Sequence, residues 1–281
     1  MKVFIQSNKF QYPAALVSKY SFEKFGYKCE IVSFDDSDVL KNYIGKTYLR
    51  KGKKKIFKND LQSFTLLRFL IPSLVDQNEK ILIIDPDIFA LRSLEELDKI
   101  TLNKDKIYCT FHNQIPRSEM MVGISKNFNL NFNETLKKLF EHKIDYDDLM
   151  SLKLYDSSKI KKISNNFNEH DTIKADTYLL HTTKRITQPW KLGLKVDFEK
   201  HNQLKIKLIN YLKKYLFLDY NLEFISDKYL KHENEEVYKF VLDLFVKSIQ
   251  NNYLSSEQIK KSVENKFIGK IFYQQIMDRL Y

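Results

Sequence analysis

The segment Ile81-Leu82-Ile83-Ile84-Asp85-Pro86-Asp87-Ile88 concentrates more chemistry than any other in the chain. Four apolar residues without alternation fit a strand buried on both faces. The two acidic residues that follow, one apart, then stand at its carboxyl end, where open α/β sheets bind ligands. Two carboxylates there can share a divalent cation of the magnesium or manganese type, and such a cation neutralises a diphosphate. Asp-Pro-Asp is also good turn chemistry after any strand, so the motif alone leaves both readings open.

Holding those carboxylates requires a sheet, and the N-terminal half has the pattern for one. Short apolar runs alternate with helix-period segments, as in a mainly parallel sheet covered by helices on both faces. Strands are expected at Val3-Phe4-Ile5, Glu30 to Phe34 and Lys80 to Ile84, and near Ile107 to Phe111 and Met120 to Ile124. Helices are expected from Tyr12 to Phe25, closed by Gly26, and from Leu61 to Leu74, with Pro72 disturbing the last turn. A short helix or turn is expected from Ser37 to Ile44, and another helix from Glu134 to His142. Segment 143–200 is loop-rich, and loops carried on a sheet are where sites usually lie. Beyond it, Val237, Phe240, Val241, Leu244, Phe245 and Ile249 hold helical spacing, and Ser255 with Gln258 makes a capping box. The expectation is an α/β domain over residues 1–200 with an α-helical C-terminal extension over 201–281.

The chain's 281 residues, 43% of them hydrophobic, can bury a substantial core, which excludes a disordered tail or a fibre. A net charge of +11 first suggests nucleic acid or an anionic membrane as partner. Its distribution argues otherwise: residues 41–60 hold eight basic against one acidic side chain, whereas 61–200 carry a net charge of only +1. Segment 46–58, with Arg50, Lys51, Lys53, Lys54 and Lys55, is expected on an exposed loop or hairpin. A rival reading follows from it, a non-catalytic protein that docks on nucleic acid or an anionic surface through this segment. No stretch approaches the ~20 apolar residues of a membrane span and the first residues lack a signal-type run, so a cytoplasmic location is expected, with peripheral membrane contact open. Cys29 and Cys109 lack metal-type spacing and are expected to be small buried hydrophobes.

Haloacid-dehalogenase phosphatases also end a strand in Asp-x-Asp, usually on the first strand and with a small Thr or Val two residues after the second Asp. Here the motif comes late and Phe89 stands at that position, so this alternative fits poorly. Other segments point elsewhere. Upstream lies Phe64-Thr65-Leu66-Leu67-Arg68-Phe69-Leu70-Ile71-Pro72, and downstream His181-Thr182-Thr183-Lys184-Arg185-Ile186-Thr187-Gln188-Pro189-Trp190-Lys191. In this order the segments resemble those of glycosyltransferase family 8 and its relatives: a Thr-x-x-Arg-Phe-x-x-Pro helix, the Asp-x-Asp strand end and a late His…Pro-Trp segment. The resemblance spans roughly residues 1–200.

It implies a GT-A fold, in which a Rossmann-like nucleotide-binding sheet merges with an acceptor region. It also implies transfer of a hexose from a nucleoside diphosphate sugar, preferentially UDP-linked, to a hydroxyl acceptor such as a surface glycan or lipid-linked saccharide. Retention of the anomeric configuration and use of Mn2+ (or Mg2+) go with it; nucleic acid does not. Asp85, Asp87 and His181 would be the metal ligands, with Asp85 also facing the donor. Arg68 would sit near the diphosphate or anchor the Asp-x-Asp turn.

The late segment departs from the family: Lys184 replaces a Gly, Gln188 replaces a Lys, and one residue is inserted before Pro189. Lys184 (or Arg185) and Gln188 become the diphosphate candidates, and Trp190 a packing anchor. Asp145-Tyr146-Asp147-Asp148-Leu149-Met150 resembles the family's Asp-Gln-Asp-x-Leu-Asn. Asp145 and Asp147 are therefore candidates for binding donor hydroxyls and steadying charge at the reacting carbon; an acidic helix start is the other reading. Asn168 is a candidate contact to donor or acceptor, and Glu169 or Asp171 a candidate proton acceptor. At the end of the first strand, Ser7 and Asn8 can hydrogen-bond a base edge and Tyr12 can stack on it, although the Asp common in the family here is missing.

Overall fold

Strand β1 (Lys2–Ser7) passes through helix α1 (Tyr12–Glu23) into β2 (Lys28–Ser33), and Gly26 at φ +86° makes the return turn. Helix α2 (Asp38–Lys41) follows, capped by Ser37, and then a small antiparallel pair, β3 (Thr47–Leu49) and β4 (Lys54–Lys55). The structure, a computed structural model, describes residues 1–45, 47–49, 54–55, 63–101, 103–197 and 226–281. The basic segment 46–58 thus contains a hairpin, and the rest of it lies outside the described residues.

Two short 3-10 helices, Ser63–Phe69 and Ile71–Leu74, stand where one α-helix was expected. Pro72 has no N–H to donate and restricts the residue before it, so a continuous α-helical ladder cannot run through Leu74. Strand β5 (Lys80–Ile84) enters the sheet next, followed by β6 (Ile88–Ala90) and helix α3 (Glu95–Ile100). Strands β7 (Ile107–His112) and β8 (Ile115–Ile124) form a hairpin. Its two turn residues, Asn113 and Gln114, both take positive φ, the backbone that matches the natural twist of a two-residue hairpin. Helices α4 (Phe132–Phe140) and α5 (Tyr146–Met150) and strands β9 (Ile160–Lys162), β10 (Glu169–His170) and β11 (Leu179–His181) follow.

The main sheet has the order β2-β1-β5-β8-β7-β9, and only β8 runs antiparallel to its neighbours. Both of its faces are covered, which is why β5 reads as an unbroken apolar run. Ile81 and Ile83 join Phe4, Leu67 and Met121 in one cluster, while Leu82 and Ile84 join Val3, Ile5 and Val122 in another. A second sheet has the order β10-β11-β6. Asp85-Pro86-Asp87 is the link from the main sheet to this smaller one.

The described residues form two compact units, 1–181 and 182–281. The expected boundary at residue 200 lies outside the described residues. The second unit contains 3-10 turns at Arg185–Thr187 and Pro189–Lys191 and three helices, α6 (Glu235–Gln250), α7 (Ser256–Glu264) and α8 (Lys270–Leu280). Trp190 is fully buried and stacks on Phe245 of α6, and the Ser255–Gln258 capping box opens α7. No described helix is long and apolar enough to cross a membrane. Cys29 and Cys109 are buried free thiols, each pushed up to about 12 chiefly by burial.

Candidate metal centre

Strand register builds the site. Pairing of Ile5 with Ile84 puts Gln6 beside Asp85, and pairing of Ile84 with Met120 brings Glu119 to the same edge. The Asp85 N–H donates to the Glu119 carbonyl at 3.1 Å. The Gln6 side-chain amide donates to Asp85 Oδ1. Arg68, 2% exposed, reaches in from the first 3-10 helix: one guanidinium nitrogen donates to Asp85 Oδ1 at 2.7 Å and the other to Ser118 Oγ at 2.7 Å. Both donors to the Asp85 carboxylate fall on Oδ1, which leaves Oδ2 for a ligand.

The smaller sheet brings in the histidine. Antiparallel pairing of His181 with Ile88 sets the imidazole beside Asp87, with Nε2 3.3 Å from Asp87 Oδ1. One potential ligand atom from each of Asp85, Asp87 and His181 lies within 4.8 Å of the others. Two carboxylate oxygens and one imidazole nitrogen suit a divalent ion between hard and borderline, and three protein ligands leave positions open for phosphate oxygens. The residues present therefore fit the manganese or magnesium ion that the family resemblance implies.

Electrostatics agree with this fit. Burial raises Asp85 to about 6, even though Arg68 and His181 work against the rise. Burial opposes charge on His181, yet Asp87, Glu119 and Asp85 push its pKa up to about 9. Burial likewise works against Glu119 ionising, but the hydrogen bond from His170 and the charges of His181 and Arg68 bring it down to about 2. Asp85, Asp87 and Glu119 all favour positive charge at His181, the same field that would favour a cation there.

Sequence reasoning missed Glu119 and gave His170 no role. Glu119, His170 and His181 form a second cluster of ligand-type atoms that shares His181 with the first. His170 Nε2 lies 3.5 Å from Glu119 Oε2, and the two imidazole rings meet edge to face. Asn168, 3% exposed, sits between them and accepts from or faces His181 Nδ1 through its Oδ1 at 3.1 Å. The sequence carried no signal for Glu119, because its place depends on the register of an antiparallel strand.

The other expected residues of the first unit lie outside this cluster, and Lys184 and Gln188 belong to the second unit. Ser7 and Asn8 are buried; Asn8 Oδ1 accepts the N–H groups of Phe10 and Gln11, and its amide donates to Ser63 Oγ. Tyr12 opens α1 and is exposed. Asp145 caps α5 in a capping box with Asp148, so the helix-start reading describes this contact. Asp147 lines a cavity of about 470 Å3 together with Arg117, Met150 and Ser151. Met150 connects this cavity to the centre, since its sulfur accepts from Ser118, the second partner of Arg68. Glu169 is ion-paired with Lys174, and Asp171 takes a left-handed backbone with its N–H on the His181 carbonyl. Lys184, in the second unit, pairs with Glu233, and Gln188 is buried before the Pro189 turn.

No family model matches the sequence, and no curated protein matches it. Solved structures do. One is the galactosyltransferase LgtC in complex with donor and acceptor sugar analogs: 12% identity, TM-score 0.48, covering 68% of this chain and 89% of that one. An active-site mutant of LgtC gives 12% identity, TM-score 0.50 and coverage of 76% and 96%. The apo glycosyltransferase GlyE of Streptococcus pneumoniae gives 14% identity, TM-score 0.47 and coverage of 83% and 65%. The likeness is one of fold: a mainly parallel central sheet flanked by helices, the GT-A fold of these glycosyltransferases.

Proposed function

We propose that this chain is a metal-dependent glycosyltransferase that moves a hexose from a nucleoside diphosphate sugar, preferentially UDP-linked, to a hydroxyl acceptor with retention. The observation that carries this is the convergence of Asp85, Asp87 and His181 at the carboxyl edge of a sheet with the GT-A fold. Asp85 Oδ2, Asp87 and His181 would hold Mn2+ or Mg2+, and a bound ion would supply charge neutralisation to the departing diphosphate. Arg68 and Gln6 hold Asp85 in place through its Oδ1. In this reading Asp147 meets the sugar from its cavity, Glu169 or Asp171 takes the acceptor proton, and Tyr12 stacks on the base beside Ser7 and Asn8. For Lys184, which is ion-paired with Glu233, and for Gln188, the role at the diphosphate rests on the family resemblance alone.

The phosphatase alternative is less well supported, because the motif follows β5 rather than the first strand and Phe89 stands two residues after Asp87. The test is a calorimetric titration with UDP, GDP and ADP, each with and without Mn2+, alongside turnover of UDP-hexoses. Metal-dependent UDP binding that disappears in Asp87→Ala, with circular dichroism unchanged, is the expected result. Wild-type turnover in Asp85→Ala or Asp87→Ala would sink the proposal.

A further inference from the structure

An imidazole that binds a cation through one nitrogen must carry its proton on the other, so the site works only if something fixes the tautomer of His181. We propose that Asn168, itself oriented by Glu119, is a positioning residue that keeps the proton on His181 Nδ1 and leaves the Nε2 lone pair for the cation. This rests on the reading of Asp85, Asp87 and His181 as metal ligands.

The argument is one of donors and acceptors. Asn168 Nδ2 lies 3.3 Å from Glu119 Oε2 and 3.3 Å from Thr110 Oγ1. A carboxylate accepts and does not donate, so the amide NH2 of Asn168 turns toward Glu119. The amide oxygen then has one direction left, toward His181 Nδ1 at 3.1 Å. An oxygen acceptor there requires an N–H at Nδ1. The lone pair of the neutral ring is thereby on Nε2, the nitrogen that lies 3.3 Å from Asp87 Oδ1. Glu119 also fixes the other end of the centre, because its carbonyl accepts the Asp85 N–H. One residue on β8 thus steadies a ligand from each sheet, through its backbone for Asp85 and through Asn168 for His181.

Such outer contacts to a ligating histidine are commonly worth about 10- to 100-fold in metal affinity. Glu119→Gln keeps the size of the side chain but lets the Asn168 amide adopt either orientation; Asn168→Leu removes the acceptor. In protein labelled with 15N-histidine and free of metal, at a pH where the ring is neutral, wild-type His181 should show the Nδ1–H tautomer. Both variants should shift it toward a mixture, and both should weaken Mn2+ binding by roughly 10- to 100-fold in calorimetry. If Asn168→Leu fails to fold, Glu119→Gln decides alone. An Nε2–H tautomer in wild type, or tautomer and Mn2+ affinity both unchanged in Glu119→Gln, overturns the proposal. Absence of Mn2+ binding in wild type instead overturns the metal-centre reading on which it rests.

Discussion

The Arg68 guanidinium and the Asp85 carboxylate meet at 2.7 Å with 2% and 12% of their side chains exposed. Removing one partner of a buried pair leaves an uncompensated charge, at a cost of about 3–5 kcal/mol. Arg68→Met should therefore lower stability by that order in chemical denaturation and weaken Mn2+ binding. Arg68→Lys should recover little, because a single ammonium cannot span Asp85 and Ser118 as the planar fork does.

Metal-free and metal-loaded protein should respond to pH with opposite signs. His181 is raised from 6.5 to about 9, so its contribution to stability is full below pH 6.5 and lost as pH climbs through 9. Asp85, also raised, to about 6, loses its contribution in a lower window as pH rises through that value. Thermal scans with chelator should show the melting temperature falling from pH 6.5 to 9. Binding of a cation displaces the His181 proton, so its affinity should rise by up to about tenfold per pH unit across the same range. A metal-induced stabilisation that does not change with pH would contradict the assignment of His181 as a ligand.

Asp145→Ala should destabilise the protein by about 1 kcal/mol, the usual worth of a helix cap, since Asp145 accepts from the Asp147 N–H and Asp148 answers at the Asp145 N–H. Asp145→Ser keeps a cap and should restore the stability. If Asp145 also meets the donor hydroxyls, as the family resemblance implies, kcat/KM stays low in both variants. Recovery of kcat/KM with the cap would reduce Asp145 to a structural residue.

Trp190→Ala should cost about 3–5 kcal/mol in denaturant unfolding, because the ring is fully buried and stacked on Phe245. Trp190→Phe should cost less than half of that, since it retains an aromatic face. Equal losses in the two variants would mean that the indole nitrogen, not the packing, is what matters there.

Some of this was legible in the sequence for definite reasons. A strand buried on both faces must be apolar throughout, so Ile81 to Ile84 declared itself, and the acids after it necessarily fell at the carboxyl edge. Thr65, Arg68 and Pro72 were recognisable by their resemblance to a family segment although the backbone between them is 3-10 rather than α-helical. Strands β6 and β11 were not legible: three residues each are too short for a period to show, so the second sheet stayed hidden. Glu119 was invisible for another reason. Whether it faces the centre depends on the pairing of Ile84 with Met120, a long-range fact fixed only when β8 docks.

The link Asp85-Pro86-Asp87 joins the two sheets, while His181 comes from the last strand of the first unit. A growing chain that has made β5 holds two carboxylates and Arg68 well before the imidazole has been synthesised. The imidazole, the third of the proposed ligands, reaches the two carboxylates only when β11 pairs with β6, the step that closes the smaller sheet. If the three side chains bind a cation as proposed, its capture would mark completed synthesis of this unit: a nascent or truncated chain ending before β11 presents an incomplete donor set, and time-resolved metal uptake during translation would read out the moment of closure.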